Sequence, residues 1–341
     1  MKYRQLGSTG ARVSSIILGC GSFGGVGADP RLYGKGVDDA EAARIMDTAV
    51  DLGINCFDTS NSYGGGTSEA AVGAWLKKKG SAARDQLVLS TKVHHPVGDG
   101  PNDYGLSRRH IMQQIEVSLR RLNVDHVDMY LPHAVDMTTP LEETLEALND
   151  LVVAGKVRYL GASGFPAWMM TKALWLSDKY HLHRFQWIQD SYSLMDRNLD
   201  AEMLPLCEDQ GLAITAYSPL AAGILSGKYR KGLEPPAGSR VEMSPHIYGR
   251  MLGDEAYVDL DLLQRFAEKK GVSMPAVAVG WLLALPYTML PIIGPRRPGH
   301  LDLVPEALDL ELTDEDMTEL GALFATSRGV PRRWHRPVGS R

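Results

Sequence analysis

Short runs of apolar and β-branched residues alternate along the chain with longer stretches whose apolar positions recur three and four residues apart. The short runs predict strands over residues 15–18, 55–58, 87–92, 127–131, 157–163, 187–189, 213–217 and 289–293. The longer stretches carry helix boundaries as well as helix periodicity. Asp38-Asp39-Ala40-Glu41 reads as a capping box, Ala42, Ile45, Met46, Ala49 and Val50 follow on one face, and Gly53 closes the segment. Thr139-Pro140-Leu141-Glu142 predicts the same device with proline at the first helical position. Leu141, Leu145, Leu148, Leu151 and Val152 then form a buried stripe that Gly155 ends. Residues 107–122 and 166–180 read in the same way.

Eight such alternations imply parallel strands joined by helical crossovers, and a count of eight favours closure over an open doubly wound sheet. The expected fold class is α/β, a (β/α)8 TIM barrel. Residues 3–6 and 12–13 flank Gly7-Ser8-Thr9-Gly10, a hairpin placed to plug the barrel's N-terminal end. A length of 341 residues suits one such barrel domain with insertions, spanning 1–341. Residues 218–257 form a long stretch without periodicity, and their glycines and prolines suit a mobile cover over a cofactor or substrate. The stretch 328–341 carries Arg328, Arg332, Arg333, Arg336 and Arg341 and reads as a solvated basic tail.

Composition narrows the class of function. A formal charge of −5 argues against nucleic acid as a partner, and equally against an anionic membrane surface. The opening MKYRQLGSTG lacks an apolar leader core, and no apolar run nears the roughly 20 residues that span a bilayer. Cys20, Cys56 and Cys207 make an odd count with no CxxC pair, so a disulfide framework or zinc ribbon is not expected and a cytoplasmic location is. Three motifs invite misreading. Gly19-Cys20-Gly21-Ser22-Phe23-Gly24 matches a dinucleotide fingerprint, but Gly-Val-Gly-Ala-Asp-Pro follows and cannot open the helix that mechanism needs. Gly161-Ala162-Ser163-Gly164-Phe165 lacks the last glycine of a nucleophile elbow. His94-His95 and His181-Leu182-His183 lack partners at metal-ligand spacing and read as surface or loop histidines.

In a barrel of this kind, residues at the C-terminal strand ends converge on one pocket. They include Asp58 and Tyr63 after the second strand, Lys92 ending the third and His133 after the fourth. These types form a coherent acid–base set. A tyrosine with a pKa near ~10 gives up its proton reluctantly at neutral pH, so an ammonium beside it helps. An aspartate would hold that ammonium, and a histidine would orient the acceptor oxygen. The set suits delivery of a proton to a developing alkoxide while hydride arrives from elsewhere.

The sequence resembles the aldo-keto reductase family from Tyr3 to about Leu320. The segments that carry the likeness run from Leu52 through Asp58-Thr59-Ser60-Asn61-Ser62-Tyr63 to Gly64, with Ser90-Thr91-Lys92 and Leu131-Pro132-His133. Further on come the run from Gly155-Lys156 to Gly161-Ala162-Ser163, then Gln189-Asp190-Ser191-Tyr192, and Ala216-Tyr217-Ser218-Pro219-Leu220. The resemblance implies a barrel that binds NADPH across the strand ends. It implies Tyr63 as general acid, Lys92 tuning it, Asp58 pairing with Lys92, and His133 positioning the carbonyl of a small-molecule substrate. It places Ser163 and Gln189 on the nicotinamide carboxamide, Tyr217 on the ring, and Gly21, Ser22 and Phe23 alongside. Ser218, Leu220, Gly223, Leu225 and Lys228 would follow the pyrophosphate, with Gly294, Arg296, Arg297 and His300 at the 2′-phosphate and adenosine.

The chain departs from the family pattern at two places. Gly299-His300-Leu301-Asp302-Leu303-Val304-Pro305 replaces the usual adenosine-gripping run, with Gly299 and Pro305 expected to weaken a helix, so NADH stays open as the cofactor. Gly164 also follows Ser163 where asparagine is common, and Ala134 after His133 leaves a wider pocket. Besides a carbonyl reductase, the resemblance admits a redox-sensing regulatory subunit like potassium-channel β subunits. It also admits a biosynthetic reductase of nucleotide-linked keto-sugars. An oligomer is compatible with all three.

Overall fold

The computed structural model describes residues 1–325, so the basic tail expected over 328–341 lies outside the described residues. Two short antiparallel strands open the chain, β1 (Tyr3–Gln5) and β2 (Arg12–Ser14), with Tyr3 opposite Ser14 and Gln5 opposite Arg12. Then come β3 (Ile17–Gly19), β4 (Cys56–Asp58), β5 (Val88–Val93) and β6 (Val127–Pro132). The rest are β7 (Val157–Ser163), β8 (Phe185–Ser191), β9 (Ala213–Tyr217) and β10 (Met289–Ile293). From β3 onward the strands pair in parallel in chain order, and β10 returns to β3 through Ile292–Ile17 and Ile293–Leu18, closing the barrel. This is the (β/α)8 architecture with its N-terminal hairpin. The first barrel strand starts later than its apolar run because Ser14 and Ser15 direct their N–H groups elsewhere. Ser14 donates to Asn55 Oδ1 and Ser15 to the carbonyl of Lys2.

The hairpin acts as a plug. Leu6 and Val13 are wholly buried among Ile17, Cys56, Met129, Trp187 and Leu290, which fill the barrel interior. Gly7 in its turn has φ +56°, and a Cβ there would stand 2.1 Å from the carbonyl oxygen of Gln186, so the turn sits directly on the start of β8. Inside the barrel, Gly161 makes room for Trp187: a Cβ on it would come within 2.2 Å of the indole. A larger apolar cluster fills the layer between strands and surrounding helices.

Helix boundaries show where local signals hold and where a competitor wins. The helix Asp39–Asp51 starts with half of the expected capping box: the Asp38 carboxylate accepts the Glu41 N–H at 2.8 Å, while the Glu41 carboxylate turns to Arg44, and Gly53 follows the helix end at φ +82°. At Leu141–Val153 the expected cap does not form. Pro140 takes the N-cap place, and the Thr139 hydroxyl donates instead to Asp136 Oδ2 at 2.7 Å. Burial pushes the Asp136 carboxyl up, but bonds from Thr138, Leu106 and Thr139 outweigh it and hold the group at about 2. Pro305 does not prevent the helix Leu303–Asp309 either. It lies in the first turn, where an N–H has no intrahelical partner to lose, and Gly299 belongs to the preceding 3₁₀ turn Pro298–Leu301.

The aperiodic stretch 218–257 folds into short turns, Ala221–Ser226, Arg240–Met243, Pro245–Tyr248 and Gly249–Met251, before the helix Asp254–Lys270 begins. Cys20, Cys56 and Cys207 are buried free thiols. Among the described residues, no helix is long and apolar enough to cross a membrane.

Candidate active site

The strand ends bring the four acid–base residues together. Asp58 is the last residue of β4, Tyr63 opens a 3₁₀ turn just beyond it, Lys92 lies near the end of β5, and His133 follows β6. Lys92 is wholly buried, and its ammonium donates to three acceptors: Asp58 Oδ2 at 2.6 Å, the Thr59 carbonyl at 2.7 Å and the Tyr63 phenol oxygen at 3.3 Å. The other oxygen of Asp58 accepts from Ser90 Oγ at 2.8 Å and Gln189 Nε2 at 3.1 Å. On the far side of the phenol, Tyr63 OH lies 3.4 Å from His133 Nε2, with the two rings edge to face. Ser60 Oγ lies 3.1 Å from His133 Nδ1.

Electrostatics fixes the protonation states. Burial raises the Tyr63 phenol above its ordinary value, and the Lys92 ammonium offsets this only in part, so the residue carries its proton at neutral pH. Burial pulls the Lys92 ammonium down, but Asp58 and Tyr63 more than compensate and leave it raised. His133 is held well below 6.5 by burial and then by His95, Lys92 and His94, so its imidazole is neutral.

The phenol opens onto a cleft of about 1720 Å³ that runs across the barrel mouth. In register, Ser163 on β7 pairs with Gln189 on β8, and Ser191 pairs with Tyr217 on β9, so three cleft-lining side chains stand on neighbouring strand ends. Gly21, Ser22, Ser218, Leu220, Gly223, Lys228, Gly294, Arg296, Arg297 and His300 also line the cleft. Phe23 and Leu225 do not: both are wholly buried in the apolar layer beneath. Gly164, where asparagine is common, has φ +66° and donates its N–H to the Gln189 carbonyl, which ties β7 to β8 at the cleft floor.

Three further lining residues lie in the stretch expected to cover the site but were not named individually, and a fourth was set aside as a surface or loop histidine. His95 is half-buried rather than on the surface, its ring 4.3 Å from that of His133. Arg240, Tyr248 and Arg250 project from the short turns of the aperiodic stretch. His181 and His183 are exposed, as expected.

An extended dinucleotide fits this cleft on two observations. At one end Lys228, Arg240, Arg296 and Arg297 crowd together, and among the described residues no carboxylate forms an ion pair with any of them. Burial, then Arg296 and Arg240, pull the Lys228 ammonium down, as expected where cations lack a counter-charge. In the floor, a Cβ on Gly294 would meet nothing nearer than the Gly19 carbonyl oxygen at 3.9 Å, which leaves the backbone open to close approach.

The family model described as "Aldo/keto reductase family" matches residues 15–324. This chain belongs to the aldo/keto reductase family. Curated aldo/keto reductase relatives span nearly its whole length. It is 36% identical to the uncharacterized oxidoreductase YrpG of Bacillus subtilis (strain 168), covering 95% of this chain and 96% of that one. It is 32% identical to the versiconal hemiacetal acetate reductase of Aspergillus parasiticus, over 94% and 96%. A probable voltage-gated potassium channel subunit beta of Oryza sativa subsp. japonica is 34% identical over 91% of this chain and 92% of its own. As an aldo/keto reductase the chain is an oxidoreductase of a family that works with a nicotinamide cofactor.

Proposed function

We propose that this aldo/keto reductase reduces an aldehyde, ketone or sugar-like carbonyl to the alcohol at the expense of NADPH, with Tyr63 as general acid. The observation that carries the reading is the Lys92 ammonium held between Asp58 and the Tyr63 oxygen, with His133 against the same oxygen. The bound nicotinamide supplies the hydride. Tyr63, still protonated at neutral pH, gives its proton to the carbonyl oxygen as negative charge develops there. Lys92 donates into the phenol oxygen, so the charge left on Tyr63 after transfer is met by an ammonium already in place. Asp58 holds that ammonium and balances its charge. The neutral imidazole of His133 orients the carbonyl.

Gln189 gives its amide N–H to Asp58, which leaves its carbonyl oxygen to accept from the carboxamide beside Ser163. Tyr217, which lines the cleft, would pack against the nicotinamide. The basic end suits phosphates: Arg296 and Arg297 would hold the 2′-phosphate together with His300, and Lys228 and Arg240 would meet the pyrophosphate. Residues 218–257, several of which line the cleft, would cover the cofactor.

Titration with NADPH and NADH, followed by a carbonyl panel monitored at the nicotinamide absorbance, tests the reading. Tyr63→Phe should lower turnover by roughly a hundredfold to ten-thousandfold with cofactor affinity nearly unchanged. Turnover equal to that of the unsubstituted enzyme would remove Tyr63 from the role. The likeness to channel β subunits supports a second reading, a cofactor-holding regulatory subunit. Tight cofactor binding with negligible oxidation across the panel would favour it.

A further inference from the structure

The edge of His133 turned away from the phenol makes contacts that the acid–base scheme leaves unused. Its Nδ1 lies 3.1 Å from Ser60 Oγ, and Ser60 is wholly buried. Ser60 Oγ accepts the N–H of Ser62 at 3.3 Å and lies 3.0 Å from Ser62 Oγ. Ser62 is also buried, and its hydroxyl has no other hydrogen-bond partner among the described residues, so its proton is directed at Ser60. A serine oxygen accepts two hydrogen bonds and donates one. With Ser62 filling both acceptor positions, the one proton of Ser60 has Nδ1 at 3.1 Å and Asn61 Oδ1 at 3.5 Å as takers, and the nearer is the imidazole.

We infer that Ser60 is a positioning residue that sets the tautomer of His133, making Nδ1 an acceptor and placing the ring proton on Nε2. The consequence reaches the phenol. Tyr63 oxygen already accepts from Lys92, and with Nε2–H donating to it as well, both incoming bonds are supplied from the protein. The phenol's own proton is then left pointing into the cleft, where a carbonyl oxygen would receive it, and Nε2–H can follow to the same oxygen. The opposite tautomer would do the reverse. A lone pair on Nε2 would draw the phenol proton inward and then face the substrate oxygen with negative charge. The ring of His95, 4.3 Å away and tilted by 52°, covers the imidazole and keeps it in this plane.

The inference rests on the carbonyl-reductase reading for its consequence, but the tautomer itself is measurable without turnover. Nitrogen-15 NMR of the full chain with labelled histidine, His133 being assigned by difference against His133→Gln, should show Nε2 protonated and Nδ1 bare in the unsubstituted protein. Ser60→Ala should shift His133 toward the Nδ1-protonated form and lower kcat about tenfold with the cofactor Kd unchanged, as expected for one lost hydrogen bond acting through a neighbour. A protonated Nδ1 in the unsubstituted protein would overturn the assignment, and that measurement needs no variant to fold. So would a Ser60→Ala protein whose kcat falls while its tautomer stays put, which would mark a merely structural serine. If the tautomer is as inferred and no carbonyl is turned over, it is the reductase reading that falls.

Discussion

The two ends of the cleft are built on opposite principles. At the acid–base end every charged group is matched: three donors of Lys92 meet three acceptors, and Asp58 takes bonds from Lys92, Ser90 and Gln189. These groups sit on or beside strand ends, within a buried layer that holds their geometry. At the basic end the cations stand on loops and lack counter-charges. The Arg296 guanidinium donates only to backbone carbonyls, of Gly238 at 2.7 Å and Lys35 at 3.3 Å, linking the aperiodic stretch to the segment before the helix Asp39–Asp51. One end is complete in itself, while the other, on the proposed reading, would be completed by an anion. The difference separates what preorganises chemistry from what reads a ligand.

The largest effect should come from breaking the matched end. Lys92→Met leaves the Asp58 carboxylate buried without its ammonium, and removal of one partner of a buried pair costs about 3–5 kcal/mol. Turnover should vanish and denaturant unfolding should move to lower concentration together. Loss of turnover with unchanged stability would mean that the pair is less enclosed than its 2.6 Å contact implies.

The opposite end should respond with affinity instead of stability. In Arg296→Ala, NADPH affinity should fall by roughly tenfold or more, the worth of a charge-assisted bond to phosphate, while NADH affinity falls much less. Because Arg296 also ties Gly238 to Lys35, some common loss for both cofactors is expected, and the gap between them carries the test. Stability of the cofactor-free protein should stay close to that of the unsubstituted chain, since like charges are being thinned. Equal losses for the two cofactors, read by fluorescence titration, would put the 2′-phosphate elsewhere.

This contrast also explains what the sequence disclosed. Asp58, Tyr63, Lys92 and His133 were legible because each ends or follows a strand, and strand ends in a closed barrel share one pocket. The barrel itself was legible from eight short runs with helical stretches between. Arg240 and Tyr248 were not, since they sit on turns too short to leave a period in an aperiodic stretch. Phe23 and Leu225 were misplaced for a related reason: proximity in sequence to the cleft does not say which way a side chain turns, and both turn into the core. His95 carried a signal, a histidine three residues beyond Lys92, but adjacency to His94 drew attention to metal spacing rather than to ring packing. Thr139 shows that a local cap gives way when a half-buried carboxylate takes the hydroxyl instead.

The smallest expected effect is one of pH, and it sharpens the comparison because three histidines beside the matched end carry most of it, against His300 alone at the basic end. Burial lowers His133, His94 and His95, the last to about 4, so all three stay neutral in the folded protein where an unfolded chain would protonate them near pH ~6.5. The sign follows from linkage: as pH falls below about 6.5 the unfolded state binds protons that the folded state refuses, so stability is full above that pH and declines toward pH 4. Turnover, which needs neutral His133 and protonated Tyr63, should be flat from about pH 6.5 up to about pH 10, because burial moves the imidazole down and the phenol up. His95→Phe keeps an aromatic ring against His133 but removes one of the three protonation sites. Its melting temperature should therefore fall less between pH 7.5 and pH 5 than that of the unsubstituted protein. An equal fall in both would take His95 out of the proton-refusing cluster and leave its part in the cleft to ring packing alone.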